Sequence, residues 1–206
     1  MKKLLFAVFM ILGLTVNAQN IEFGAKAGLS LSNLSVENSF GAQSFDSSTN
    51  FHFGGVVEFK LSEKFSIQPE LLFSRQGNVV ILKGGNGIAI TDFEETTRLD
   101  YLNIPVMVKY YFIKNFSVEV GPQIGVLLSA KSILEDKSVT GNGDEKNDIK
   151  EYIESLDYGV NFGVGYKLDN GINFGLRYNL GLSDIVISEN NTLKNRAFQI
   201  SLGYNF

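Results

Sequence analysis

The last ten residues, Ala197 to Phe206, read AFQISLGYNF. Apolar side chains alternate with Gln, Ser, Gly and Asn, so one face of an extended strand is apolar and the other is polar. The apolar face carries Phe198, Ile200, Leu202, Tyr204 and Phe206. Such a strand can pair with an N-terminal strand and close a sheet, which leaves no unpaired edge in lipid. The segment therefore predicts the closing strand of a membrane-spanning β-barrel.

The same period of two recurs in seven earlier segments, at about 21–31, 51–61, 65–76, 98–112, 116–130, 156–168 and 172–182. Three-residue turns alternate with four long connections, about Ser32–Asn50, Gly77–Thr97, Lys131–Ile153 and Ser183–Leu193. The pattern predicts an all-β fold, an eight-stranded antiparallel up-and-down transmembrane β-barrel. The tight turns and both termini would lie at one rim, and the four long loops at the other.

The polar face of the predicted strands is rich in glycine: Gly24, Gly28, Gly54, Gly121, Gly125, Gly159, Gly163, Gly165, Gly175, Gly181 and Gly203. Glycine weakens a strand that faces water, but inside a narrow barrel it makes room for larger neighbours. We therefore expect the polar face to point inward and the apolar face to contact lipid. A soluble ligand-binding barrel, with its apolar face inward, is the alternative.

Charges on the polar face are balanced, five of each sign. The acids are Glu22, Glu58, Glu70, Glu119 and Asp157, and the bases are Lys26, Lys60, Lys109, Lys167 and Arg177. A balanced set can neutralise itself inside a wall of lipid-facing strands. We predict a structural charge network in the interior, and the register of the turn at Ile113 to Asn115 predicts an ion pair between Lys109 and Glu119.

Three prolines interrupt the predicted strands, at Pro69, Pro105 and Pro122. Each removes a ladder donor, and a closed barrel has no edge strand to accommodate it. We therefore predict bulges or local fraying at these positions.

Composition excludes several kinds of site. The chain has no Cys and one His, so a disulfide framework, a thiolate metal site and a histidine cluster are excluded. A net charge of -4 argues against a nucleic-acid partner. We expect no cofactor and no metal ion.

The pattern of the N-terminal residues predicts a leader that is separate from the barrel. Lys2 and Lys3 precede an apolar run from Leu4 to Val16, and Val16-Asn17-Ala18 ends in small residues. This order is typical of a secretory signal peptide, and the apolar run is too short for a spanning helix. We predict cleavage after Ala18, which leaves a barrel domain of residues 19–206.

Several motifs carry a family resemblance. Tyr101-Leu102-Asn103-Ile104-Pro105-Val106, Lys109-Tyr110-Tyr111-Phe112, Gln68-Pro69-Glu70-Leu71, the leader ending in Ala18-Gln19 and the terminal Phe206 resemble the PorT-like outer-membrane β-barrel family of Bacteroidetes. The resemblance covers essentially the whole mature chain. It implies a small eight-stranded barrel in the outer membrane. The namesake is associated with a secretion system, a role that the strand motifs do not carry over.

Two candidate catalytic groups lie on the polar face. Glu58 and Glu70 are diagonal neighbours in the predicted hairpin, where two carboxylates could act as acid and base. His52 is the one possible imidazole base, with Ser44, Ser47 and Ser48 nearby in sequence. A structural network and a polar histidine at the rim are the simpler readings, so we expect no catalytic residue.

An acidic connection holds oxygen ligands that could bind Ca²⁺, at Asn142, Asp144, Asn147 and Asp148. Their spacing does not match the calcium loop D-x-[DN]-x-[DN]-G. A solvated loop is the expected structure.

The sequence thus predicts an integral outer-membrane barrel with a non-catalytic structural, adhesive or binding role in its surface loops. The termini and tight turns would be periplasmic and the long loops extracellular. Its partners would be outer-membrane lipid, the barrel assembly machinery during insertion, and an unknown partner of the loops. The alternatives are a narrow passive channel, a component of a secretion apparatus and an outer-membrane enzyme.

Overall fold

The computed structural model describes residues 20–38, 41–44, 46–84, 91–136, 145–187 and 192–206. Eight long strands lie in these ranges: β1 (Ile21–Asn38), β2 (Asp46–Lys60), β3 (Phe65–Gly84), β4 (Thr91–Ile113), β5 (Phe116–Asp136), β6 (Leu156–Lys167), β7 (Ile172–Gly181) and β8 (Thr192–Asn205). Two short strands, Gly41–Ser44 and Glu145–Asp148, flank β1 and β5. The predicted leader, 1–18, lies outside the described residues.

The strands form one closed antiparallel sheet. Each strand pairs with the next along the chain, and β8 pairs with β1 from Gly24↔Asn205 to Glu37↔Thr192. This confirms the predicted eight-stranded up-and-down barrel, closed by the C-terminal segment. No helix in the described ranges is long and apolar enough to cross a membrane.

The two faces of the sheet separate as the alternation predicts. Large apolar side chains lie on the outer surface, for example Phe23 and Phe53, which are 60% and 50% exposed. The five apolar residues of the closing strand, Phe198, Ile200, Leu202, Tyr204 and Phe206, are all exposed as well. Buried polar residues such as Glu58, Asn161 and Gln199 face the lumen. The soluble alternative is therefore wrong, because its interior would be apolar.

The long connections contain more strand than predicted. β3 continues to Gly84, β4 begins at Thr91 and β5 continues to Asp136, all paired in a ladder. β1 likewise continues to Asn38, and β2 begins at Asp46. The prediction of loops over all of Ser32–Asn50, Gly77–Thr97 and Lys131–Ile153 is thus wrong in part. The period of two is lost in these extensions, but the backbone ladder continues without it.

The prolines do not produce bulges. The pairs Pro69↔Val106 and Leu72↔Asn103 share one register, and Pro122↔Val160 lies in an unbroken ladder. Register shifts occur elsewhere, between Asp100 and Tyr101 for example. A bulge requires an inserted residue, whereas a proline removes a single donor, so the predicted bulges are wrong. The predicted fraying is confirmed, because no residues pair between Pro69↔Val106 and Leu72↔Asn103, or between Pro105↔Gln123 and Val108↔Val120.

The turn between β4 and β5 is one residue tighter than predicted. Ile113 pairs with Phe116, and the register shifts between Tyr111 and Ile113, so that Phe112 is the extra residue. Beyond this shift Lys109 lies directly opposite Glu119, as predicted.

Candidate functional site in the barrel interior

The centre of the lumen holds two cations and two carboxylates, which we call the charge quartet: Lys26, Glu70, Glu119 and Arg177. Nη1 and Nη2 of Arg177 donate to the two oxygens of Glu70, at 2.8 and 2.9 Å. Nε and Nη2 of Arg177 also donate to Oε1 of Glu119, at 3.0 and 2.8 Å. Nζ of Lys26 lies 2.8 Å from Oε2 of Glu70. The four charges cancel, as a group removed from water requires.

The charge quartet fills the cross-section of the barrel. Arg177 lies on β7 and Glu70 on β3, which are on opposite sides of the ring of eight strands. Their direct contact therefore spans the lumen. Gly163 lies opposite both Glu119 and Arg177 in the ladder, and a Cβ on it would lie 2.8 Å from Oε1 of Glu119. At this position glycine makes the room that the sequence predicts.

Lys109 and Glu119 are cross-strand neighbours but do not form the predicted ion pair. Lys109 donates from Nζ to Oε1 of Gln68 at 2.7 Å and lies 4.0 Å from Oε2 of Glu58. Glu119 instead accepts from Arg177. The planar guanidinium of Arg177 binds Glu70 through two parallel hydrogen bonds and still donates to Glu119, and this bidentate geometry is one that an ammonium cannot form.

Glu58 and Glu70 do not form an acid–base pair. Glu58 accepts from the hydroxyls of Ser66 at 2.7 Å and Tyr111 at 2.6 Å, and Lys167 lies 3.7 Å away. Glu70 belongs to the charge quartet. Each carboxylate thus has its own cation and its own donors, which is the arrangement of a structural network.

The tight-turn end of the lumen is an open vestibule of about 840 Å³. Glu22 lies in its wall and pairs with both Lys60 and Lys167, and Asn205 donates to it at 3.2 Å. Further in, a void of about 30 Å³ reaches Arg177 and Lys26. The vestibule therefore ends at the charge quartet.

His52 lies inside the barrel and not at its rim, which corrects the prediction. Its side chain is 1% exposed, and its Nε2 lies 2.9 Å from the hydroxyl of Ser201 on β8. Gly28 of β1 is directly opposite both residues, so His52 and Ser201 meet across a position without a side chain. The sequence gives no signal for this pair, because the two residues are distant in the chain. Ser47 and Ser48 form no hydrogen bond with His52, and the side chain of Ser44 lies outside what the structure describes.

The long-loop end of the lumen is filled by an apolar group, which we call the apolar cap. Its buried members are Leu34, Leu99, Tyr101, Leu127, Ala130, Ile153 and Ile185. Ile153 and Ile185 come from the connections before β6 and before β8, which are joined by the bridge Ile153↔Val186 and by Glu154 N donating to Ile185 O at 2.8 Å. Leu99 and Tyr101 break the polar pattern of the inner face, and that exception is the signal that sequence reasoning missed.

Asp157 lies apart from the other interior charges. It is 5% exposed, accepts from Ser183 Oγ at 2.6 Å and accepts from Asn195 Nδ2 at 2.8 Å. None of the ion pairs formed by the described residues includes it. The polar face therefore carries equal numbers of acids and bases, but one acid, Asp157, has no base beside it.

Of the four candidate calcium ligands, two, Asn147 and Asp148, lie within the described residues. Asn142 and Asp144 lie outside the described residues. Asn147 pairs with Ser132 in a strand, and Asp148 accepts from the backbone of Lys150 at 2.9 Å. Within the described ranges no three His, Cys, Asp or Glu side chains form a metal-binding group.

The sequence matches a family model described as outer membrane protein beta-barrel domain, over residues 17–186. The comparison with curated protein sequences gave no match.

Among solved structures, the chain is similar to Ail, the attachment invasion locus protein of Yersinia pestis, crystallised with the heparin analogue sucrose octasulfate. The two share 13% identity over 91% of this chain and 99% of that one, with a TM-score of 0.46. Neisserial surface protein A shares 14% identity over 89% and 95% of the two chains, with a TM-score of 0.41. OprG from Pseudomonas aeruginosa shares 12% over 90% and 95%, with a TM-score of 0.43.

Proposed function

The chain belongs to the family of outer membrane protein beta-barrel domains, and we propose that it is a non-catalytic structural, adhesive or binding element of the outer membrane. The observation that carries the proposal is that the lumen is filled at two levels, by the charge quartet and by the apolar cap. A lumen closed at two levels offers no continuous path from one end to the other. Recognition then falls to the outer surface, and above all to the end that carries the long connections.

The long-loop end of the barrel is uneven, because some strands extend much further than others. β3, β4 and β5 have 20, 23 and 21 residues, whereas β6 and β7 have 12 and 10. The pairs Gly84↔Thr91 and Phe93↔Asp136 lie near the far ends of these three strands. One side of the barrel therefore extends as a paired sheet, which presents a more rigid surface than open loops would.

Conductance tests the alternative of a passive channel. The purified protein, inserted in a planar bilayer, is expected to give no single-channel steps above the noise, because the Arg177–Glu70 contact spans the lumen. Reproducible steps would refute the non-channel proposal. A porin inserted by the same procedure is the positive control.

Shortening the projecting sheet tests the binding role. Gln76 and Leu99 are directly paired, so residues 77–98 can be replaced by an Asn-Gly turn that closes the hairpin at that pair. In a deletion strain, the shortened protein should reach the outer membrane but fail to restore attachment between cells or to surfaces. The matched control is Glu63→Ala in a tight turn at the other rim. Full restoration by the shortened protein would refute a role of the sheet.

The orientation is also a proposal: long connections outside the cell, tight turns and termini in the periplasm. Because the chain has no Cys, single cysteines report cleanly on each rim. Ser47→Cys should react with an impermeant maleimide on intact cells, and Lys114→Cys should react only after lysis. The reverse pattern would invert the barrel.

An enzyme built on His52 is not proposed, because the imidazole is buried beside Ser201 and away from both mouths. Cleavage after Ala18 stays a prediction. The mass of the mature protein tests it, because that mass should match a chain that starts at Gln19. Insertion by the barrel assembly machinery, membership of the PorT-like subgroup and a place in a secretion apparatus stay predictions as well.

A further inference from the structure

Asp157 is a buried carboxylate whose environment offers donors but no countercharge. It lies at the long-loop end of β6, beneath the apolar cap. Ser183 donates a hydrogen bond to one of its oxygens, and Asn195 donates one to the other. An ionised carboxylate in a lipid-surrounded interior is costly unless it meets a cation, and each of the other interior carboxylates, by contrast, lies within an ion pair.

Two amide oxygens without partners belong to side chains that lie close to this carboxylate. Asn195 uses Nδ2 to donate to Asp157, which fixes its amide orientation and leaves Oδ1 without a hydrogen bond among the described residues. Oδ1 of Asn103 also lacks a partner there, and the hydroxyl of Tyr101 lies beside Asn195. All three side chains are 2% exposed or less. Buried acceptors of this kind are rare in proteins and call for a ligand or water.

Gly125 shows that these groups converge. A Cβ on Gly125 would lie 2.6 Å from Oδ1 of Asn103, 3.3 Å from Cδ1 of Tyr101 and 3.6 Å from Cβ of Asp157. Asn103, Gly125 and Asp157 are direct neighbours across β4, β5 and β6. Oδ1 of Asn103 therefore occupies the space that a side chain at position 125 would need, and it lies there close to Asp157.

We propose that Asp157, Asn103, Asn195 and Tyr101 form a binding site for one dehydrated monovalent cation, Na⁺ or K⁺, beneath the apolar cap. One carboxylate supplies one neutralising charge, and amide and hydroxyl oxygens replace the hydration shell, as carbonyl oxygens do in ion-selective filters. A divalent ion would keep an excess positive charge in a buried place, where that charge is costly.

The site is linked to the apolar cap through Ser183. The Ser183 hydroxyl donates to Asp157, and Ile185, two residues on, is a fully buried member of the apolar cap. Asp184 fastens the same segment by accepting from the backbone of Val186 at 3.2 Å and of Leu193 at 2.9 Å. A cation at Asp157 is therefore expected to stabilise the closed end of the barrel.

The first test is thermal unfolding of the full barrel in detergent, in equal concentrations of NaCl, KCl or choline chloride. The band shift on a gel monitors the unfolding. Choline is too large for the site. At about 100 times the dissociation constant, Na⁺ or K⁺ should raise the midpoint by about 5 °C or more over choline. Asp157→Asn keeps the shape and should abolish this difference, whereas Asp169→Asn in an exposed turn should keep it. Equal midpoints in all three salts would overturn the proposal.

Diffraction makes the test independent of any variant. Crystals of the unmodified barrel grown with Tl⁺, a heavy analogue of K⁺, should show an anomalous peak within bonding distance of Asp157. The opposing result is an infrared band of a protonated carboxylic acid that disappears in Asp157→Asn. That result would show that a proton, and not a metal ion, neutralises the carboxylate.

Discussion

The charge quartet and the apolar cap close the same lumen by opposite means. In the charge quartet, Arg177 holds two carboxylates through four hydrogen bonds, so the strength is directional and depends on each partner. In the apolar cap, residues such as Ile185 and Leu99 fill space without direction. Removal of a partner from the charge quartet leaves unpaired charge, whereas removal of a side chain from the apolar cap leaves a cavity. The difference predicts how each level responds to substitution.

The largest effect is expected for Arg177→Met. Methionine keeps much of the volume but leaves Glu70 and Glu119 buried and short of their cation, which should cost about 3–5 kcal/mol of unfolding free energy. This loss of unfolding free energy is measured by urea unfolding of the barrel after it has been refolded into vesicles.

The control for that variant is Lys114→Gln, which breaks the ion pair with Asp169 at the rim. Both side chains are exposed, at 81% and 73%, so the loss should be below about 1 kcal/mol. If Arg177→Met and Lys114→Gln lose the same unfolding free energy, burial of the charges does not make the charge quartet more important for stability than an exposed ion pair.

Ile185→Ala tests the apolar cap in the same assay. Truncation of a fully buried isoleucine should cost about 2–4 kcal/mol, depending on how far the segment collapses into the cavity. Because the charge quartet still spans the lumen, conductance should stay at the noise level. A conducting Ile185→Ala barrel would show that the apolar cap alone closes the lumen. Ile187→Ala, at an exposed position of the same segment, is the matched control.

Gly163→Ala tests the packing around the charge quartet. The added Cβ would lie 2.8 Å from Oε1 and 3.0 Å from Cγ of Glu119, and this overpacking should cost about 1–3 kcal/mol. Gly175→Ala, on the neighbouring strand, meets Ser201 Cβ at 3.8 Å and should be nearly neutral. Equal unfolding midpoints for both variants would contradict the close fit.

The smallest effect is expected for Ser201→Ala, which removes the hydrogen-bond partner of the buried His52. His52 would keep an unpaired Nε2, at a cost of about 1–2 kcal/mol. Ser74→Ala is matched in burial but removes a hydroxyl that has no hydrogen bond among the described residues, so its stability should stay the same or rise. A larger loss from Ser74→Ala than from Ser201→Ala would reverse this order.

The two levels also differ in how far they could be predicted. Lys26, Glu70, Glu119 and Arg177 stand out in the sequence as charges on an inward face, and the structure brings them together. The apolar cap was not predicted, since Ile153 and Ile185 lie in connections where no periodicity assigns a face. The Lys109–Glu119 ion pair was predicted from register alone, and register does not decide which neighbour an acid prefers.

By itself the sequence determined the barrel, its closing strand, its inward and outward faces and which charged residues face the interior. These features follow from the period of two and from turn lengths, which act between neighbours along the chain or across one hairpin. Only the tertiary structure decided that Arg177 meets Glu70, that His52 meets Ser201, that Asp157 stands apart and that two connections fold over the lumen. Those contacts join strands from opposite sides or distant parts of the ring, and they exist only once the sheet has closed.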